Sequence, residues 1–190
     1  MNTQNITLLD LGGVVFQSTG TSNDLIDWTI ISRLNEQYGH ALNIGEDTFP
    51  DFLADYNRLT NQNLGGQAFL KAVFDTLIIN QELIDIVRAH SDIIIVSDNY
   101  RENIAYISKR YRFEDWAIRQ IYSFDYNVVK SDPDFFKKLL EDLSDYPIDN
   151  MLFIDDSIKK IESAQKSGIK SILYKNNQQI SDIVIQNSDQ

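Results

Sequence analysis

The chain has 190 residues, with 17 Lys or Arg against 28 Asp or Glu and a formal net charge of -11. That balance argues against nucleic acid and an anionic membrane as main partners, since both need a positive footprint on the protein. The absence of cysteine removes disulfide scaffolds, thiol nucleophiles and thiolate zinc sites, and two histidines, His40 and His90, are too few for a histidine-rich metal site.

A hydrophobic fraction of 43% with 24% charged residues fits a globular chain with one core domain and room for a small inserted unit. The opening residues carry no basic segment, and the apolar run Ile93 to Val96 is far too short to cross a bilayer. A cytoplasmic protein is the expectation.

In chain order, Ile6-Thr7-Leu8-Leu9 is continuous rather than alternating, which predicts a strand buried on both faces. It runs into Asp10-Leu11-Gly12-Gly13-Val14-Val15. From Ser18 to Asn80 the spacing is helical, as in Leu25, Ile26, Trp28, Ile31 and Leu34 or Phe49, Phe52 and Tyr56, without a convincing strand. Roughly sixty residues of this kind exceed what a simple crossover needs, so the segment reads as a helical insertion. Gly65-Gly66 is expected to turn between two of its helices, and Trp28, Tyr38, Phe49 and Tyr56 are read as its core.

Beyond the insertion, helical patterns at Glu82 to His90, Asn103 to Arg110, Pro133 to Leu143 and Ile158 to Ser167 alternate with apolar runs. Those runs are Ile93 to Val96, a weaker Gln120 to Tyr122, Met151 to Ile154, and Ser171 to Tyr174. The alternation predicts an α/β fold with an open, Rossmann-like parallel sheet. The division expected is a core of residues 1–17 and 81–190 with a helical cap of residues 18–80.

Three of the strands end in polar residues: Asp10 after the first, Ser97-Asp98-Asn99 after the second, and Asp155-Asp156-Ser157 after a later one. Parallel strands place their carboxyl ends along one edge, where such folds bind ligands, so Asp10, Ser97, Asp155 and Asp156 should converge there. Lys130 follows the weak strand and could reach the same edge. Three gathered carboxylates repel one another, and a divalent cation relieves that; magnesium, a hard ion favouring carboxylate and phosphate oxygens, suits the set. With Ser97 and Lys130 holding phosphate oxygens, an aspartate can attack phosphorus and form an aspartyl-phosphate that water hydrolyses.

The ordered motifs Asp10-Leu11-Gly12-Gly13-Val14, Ser97, Lys130-Ser131-Asp132-Pro133 and Asp155-Asp156-Ser157 resemble the haloacid dehalogenase-like (HAD) hydrolase superfamily over nearly the whole chain. The resemblance implies Asp10 as nucleophile and metal ligand, with Lys130 as its catalytic partner. It implies Gly12 through its carbonyl, Asp155 and Asp156 as further Mg2+ ligands, and Ser97, Asp98 and Lys130 as the phosphate-binding set. It also implies a cap that closes over the site and selects the leaving group of a small phosphorylated metabolite.

Departures from that pattern are Gly12 where phosphatases carry a second Asp as general acid and base, Asp98 where asparagine is common, and Ser131 where proline is usual. The Gly12 form resembles a subgroup whose first motif reads Asp-Leu-Gly-x-Val and which includes phosphatases of sugar phosphates such as glucose 1-phosphate. Two other functions stay open: a metal-free haloacid dehalogenase, a branch that typically carries a bulky aromatic where this chain has Gly12 and a cap arginine whose role Arg33 or Arg58 would fill only by coincidence, and a phosphate-binding regulatory protein with little turnover.

Overall fold

In the computed structural model, which describes residues 5–188 and side chains through residue 183, the chain begins β1 (Ile6–Leu9), β2 (Phe16–Ser18), α1 (Trp28–Asn43), α2 (Phe49–Thr60), α3 (Gly66–Phe74) and β3 (Leu77–Ile79). It continues α4 (Gln81–Arg88), β4 (Asp92–Ser97), α5 (Arg101–Tyr111), β5 (Arg119–Tyr122), α6 (Ser123–Tyr126) and α7 (Pro133–Asp142). The last elements are β6 (Met151–Asp155), α8 (Ile158–Lys166), β7 (Lys170–Leu173) and α9 (Asn177–Ser188). Among the described residues no helix is long and apolar enough to cross a membrane.

The five expected strands form one parallel sheet in the order β5-β4-β1-β6-β7, an α/β fold with a Rossmann-type core. Their apolar runs are continuous because both faces are covered. Leu9, Ile93, Ile95 and Ile154 point into one core with Leu83, Ile84 and Val87 of α4. Their neighbours Leu8, Ile94, Val96 and Phe153 point into a second core with Phe135, Phe136 and Leu139 of α7. The period-two alternation of side chains thus feeds two apolar layers instead of one.

The inserted helices α1 to α3 have an apolar cluster of their own, including Leu34, Phe52, Tyr56 and Phe69. The first helix starts at Trp28, later than its apolar spacing suggests, because Asp27 accepts hydrogen bonds from the Thr29 and Ile30 amides at 2.9 and 3.1 Å and so caps it. Gly65 caps α3 and Gly66 is its first residue, so the two glycines do mark the turn between α2 and α3.

The expectation of a strand-free segment is corrected at Leu77–Ile79, which pairs antiparallel with β2, Phe16 opposite Ile79 and Ser18 opposite Leu77. Each strand spans three residues, too few to display a period in the sequence. This ribbon carries the chain from the end of β1 into the helices and back to the sheet. Asn80 closes the return, its side chain accepting from the Leu83 amide at 3.3 Å to cap α4.

Candidate active site

The sheet register brings the chemistry together. Leu9 pairs with Ile95 on one side and Ile154 on the other, so the next residue of each chain segment, Asp10, Val96 and Asp155, lies at one level. Lys130 fills the space between them. Its Nζ donates to Asp10 Oδ1, to Asp155 Oδ2 at 2.6 Å and to the Val96 carbonyl at 2.9 Å. All of its side chain is buried. A buried ammonium needs partners for each of its three protons, and this one has them.

Lys130 is held there by its own backbone, whose amide donates to Asp98 Oδ1 at 2.8 Å. The following turn ends in Asp132, which caps α7 by accepting from the Asp134 amide at 3.0 Å, with Pro133 in the first helical turn.

Asp155, Asp156 and Asp10 each offer a carboxylate oxygen, and these oxygens lie within 4.8 Å of one another. Asp10 and Asp155 are buried while Asp156 faces solvent. Asp155 Oδ1 is fixed by the Ser157 amide at 2.8 Å, at the start of α8. Partial burial pushes the Asp156 carboxyl above the ordinary carboxylate range, and the charges of Asp10 and Asp155 add to the rise. Such a set could hold a divalent cation, since it gathers hard oxygen ligands with negative charge left to neutralise.

Ser97, at the end of β4, is buried, and among the described residues its hydroxyl has only a 3.4 Å contact with the Asp98 carbonyl. The Asp98 carboxylate accepts from the Lys130 amide and pairs with Lys160 Nζ at 3.4 Å. Gly12 and Gly13 lie in the tight turn that precedes β2, closed by the Phe16 amide donating to the Leu11 carbonyl at 2.7 Å.

Lys160 is a site residue the sequence reading missed. Its Nζ also lies 4.0 Å from Asp155 Oδ2. Burial alone would lower its pKa, but Asp10, Asp155 and Asp98 together raise it and keep it charged. Its position supplied a signal: side chains in a helix's first turn lean back toward the N-terminus, here toward the sheet edge. Four carboxylates, Asp10, Asp98, Asp155 and Asp156, therefore face two ammonium groups, Lys130 and Lys160, leaving two negative charges in excess.

Above the Gly12-Gly13 turn a cavity of about 540 Å³ opens between the inserted helices and the sheet. Trp28 lines it at 45% exposure, so of the four aromatic residues read as core in the insertion, this one is not. Tyr56 and Phe49 are buried as expected, and Tyr38 is partly buried with its hydroxyl donating to Asp55 Oδ2 at 2.7 Å. Arg58 pairs with Asp55 at 2.8 Å, Arg33 is exposed, and neither lines the cavity.

No protein-family model and no curated protein sequence matches this chain. Solved structures do. A HAD family enzyme from Bacteroides thetaiotaomicron is 19% identical with a TM-score of 0.70, covering 92% of this chain and 95% of that one. The same enzyme has been solved in complex with magnesium and inorganic phosphate, at 19% identity and a TM-score of 0.67 over 90% of this chain and 94% of that one. A HAD-like family hydrolase from Porphyromonas gingivalis is 17% identical with a TM-score of 0.69 over 100% of both chains. A 2-haloacid dehalogenase from Pseudomonas syringae is 14% identical with a TM-score of 0.55 over 90% of this chain and 86% of that one. At these identities the likeness establishes the fold, an α/β HAD-like core with an open parallel sheet.

Proposed function

We propose that the protein is a magnesium-dependent phosphatase of small phosphate monoesters, with Asp10 as its nucleophile. The observation that carries this reading is the convergence of Asp10, Asp155 and Asp156 at one sheet edge around the buried Lys130, with two negative charges uncompensated. Among structures of the same fold, the Bacteroides enzyme has been crystallised with magnesium and inorganic phosphate, which supports extending both ligands to this site.

In this reading Asp10, Asp155, Asp156 and the Gly12 carbonyl hold Mg2+, and the helical segment 18–80 is a cap over the site. When bound, the ion neutralises the excess charge and polarises the phosphoryl group. Lys130 binds Asp10 through Oδ1, which orients the carboxylate and leaves Oδ2 as the attacking oxygen. An oxygen lone pair of Asp10 forms a bond to phosphorus as the bond from phosphorus to the leaving oxygen breaks, its electron pair departing with the alcohol. Water then attacks the aspartyl-phosphate, releasing inorganic phosphate and regenerating the carboxylate.

The Ser97 hydroxyl binds a phosphate oxygen, as a positioned donor does for a group whose transfer is mostly electrostatic. Lys130, expected from the sequence to bind phosphate as well, spends its three protons on Asp10, Asp155 and the Val96 carbonyl and so acts by orienting the nucleophile. Asp98 contributes by fixing the Lys130 amide instead of touching phosphate, and Lys160 anchors Asp98.

The dehalogenase reading is weaker because a haloacid carboxylate would meet no cation in the cavity: among the described residues none that lines it is basic. The test is hydrolysis of 4-nitrophenyl phosphate by the purified protein. Turnover should require magnesium, stop with EDTA and vanish in Asp10→Asn. Halide release without metal would replace this reading with the dehalogenase, and phosphate binding without turnover of any ester would replace it with a regulatory protein.

A further inference from the structure

The cavity above Gly12 says something about the group that leaves. Its walls are mostly aromatic or aliphatic: Trp28, Phe52, Phe69 and Phe74 with Ile31 and Ile107. Its polar lining side chains, such as Asn35, Asn99 and Asn103, are neutral, and so is Tyr100, whose ionisation is pushed up by burial and then by Glu102. Among the described residues no charged side chain lines it. At about 540 Å³ it accepts a group of one or two rings.

A sugar presents several hydroxyl groups; Asn35, Asn99 and Asn103 could partner some of them, but each one buried against the aromatic and aliphatic walls without a partner weakens binding on the order of tenfold. A nucleotide or acidic metabolite would bring charge that nothing here matches. A flat, uncharged ring suits these walls, and Trp28, partly exposed at the mouth of the cavity, offers a face for it to stack on.

A second observation points the same way. Gly12 lines the cavity without a side chain, so it offers no proton donor to a leaving group bound there. An alkoxide leaves badly without one. A phenoxide, whose conjugate acid has a pKa of about 10 like that of tyrosine, leaves unaided.

Resting on the phosphatase reading above, we infer that the substrate class is aryl phosphate monoesters, in which the phosphate is carried by a phenolic oxygen of a neutral aromatic ring. Asp10 takes the phosphoryl group as the bond from phosphorus to the phenolic oxygen breaks with its electron pair on that oxygen. The phenoxide acquires its proton from water after it departs, and a second water hydrolyses the aspartyl-phosphate.

The experiment compares kcat/KM, with magnesium, for 2-naphthyl phosphate, benzyl phosphate, glucose 1-phosphate and glycerol phosphate. The naphthyl ester should exceed glucose 1-phosphate by about tenfold or more, and benzyl phosphate should share its low KM but not its kcat. Trp28→Ala should raise KM for the naphthyl ester about tenfold without a matching change in inhibition by inorganic phosphate, which has no ring to lose. Equal or better hydrolysis of glucose 1-phosphate would overturn the inference and leave the phosphatase reading standing. Failure to hydrolyse any of the four would overturn both.

Discussion

Gly13 and Asp156 approach so closely that a β-carbon on Gly13 would lie 2.0 Å from Asp156 Oδ2, and Gly13 itself has a φ of +74°. Both facts exclude a side chain at this position: one by the left-handed backbone, the other by contact with the carboxylate that completes the acidic cluster. Gly13→Ala is therefore expected to push the Asp156 carboxylate aside and to cost more than about 1 kcal/mol of stability. The rise in melting temperature with added magnesium, measured by differential scanning fluorimetry, should shrink or vanish in this variant. An undiminished response would mean that Asp156 contributes nothing to metal binding.

Lys130 bridges two buried carboxylates, donating to Asp10 and to Asp155, while Lys160 stands farther off, 4.0 Å from Asp155. Lys130→Met keeps most of the side chain's length but removes the ammonium that donates to both carboxylates, a change that typically costs about 3–5 kcal/mol. Urea unfolding in EDTA should place the midpoint well below that of the parent with little change in slope. Lys130→Arg should not rescue it, because Val96 and the two carboxylates surround a single point charge and not a planar fork. Saturating magnesium should recover part of the loss in Lys130→Met.

Much of this site is legible in the sequence because Asp10, Ser97 and Asp155 directly follow or end continuous apolar strands, and a parallel sheet lines up such ends whatever the details of packing. Lys130 is different. It sits in a loop, and only the motif around Asp132-Pro133 points to it. Lys160 went unread because Lys159 and Lys160 are adjacent and alike in sequence; the start of α8 at Ile158 exposes the first and turns the second toward Asp98. Trp28 was misread for a related reason. Apolar spacing marks a helix face but does not say whether that face meets a core or a cavity. The ribbon of β2 and β3 is too short to carry any period at all.

Asp156 gives the metal-free protein a distinct pH dependence. Its folded carboxyl lies above the ordinary range, through partial burial and then the charges of Asp10 and Asp155. The stability it contributes is thus fully present below the unfolded pKa and is lost as pH rises through the elevated folded value. In EDTA, Asp156→Asn should be more stable than the parent at pH 7, with the difference closing as pH falls toward about 4, where the unfolded carboxyl titrates. Magnesium at 100 times its dissociation constant adds about 2.7 kcal/mol to the parent, or roughly 5–11 °C in a chain of this size. The order of the two proteins should then reverse. Melting curves across pH, with and without magnesium, measure both effects, and a constant offset at all pH values would contradict the assignment.

Gly12 is unlike Gly13, since a β-carbon there meets nothing within 4 Å. The space for a carboxyl exists, and the residue faces the cavity where the leaving group would lie. An aspartate at this point would stand near Asp10, Asp155 and Asp156, whose charges raise its pKa and favour the protonated form that an acid needs. Gly12→Asp should accelerate hydrolysis of benzyl phosphate on the order of 10²-fold and leave 2-naphthyl phosphate almost unchanged, because a phenoxide gains little from a proton donor. The pH profile of kcat for the benzyl ester should also acquire a falling alkaline limb as the new acid ionises. Steady-state kinetics on the two esters decides the matter: an equal gain on both would mean that protonation of the leaving group is not what the glycine withholds.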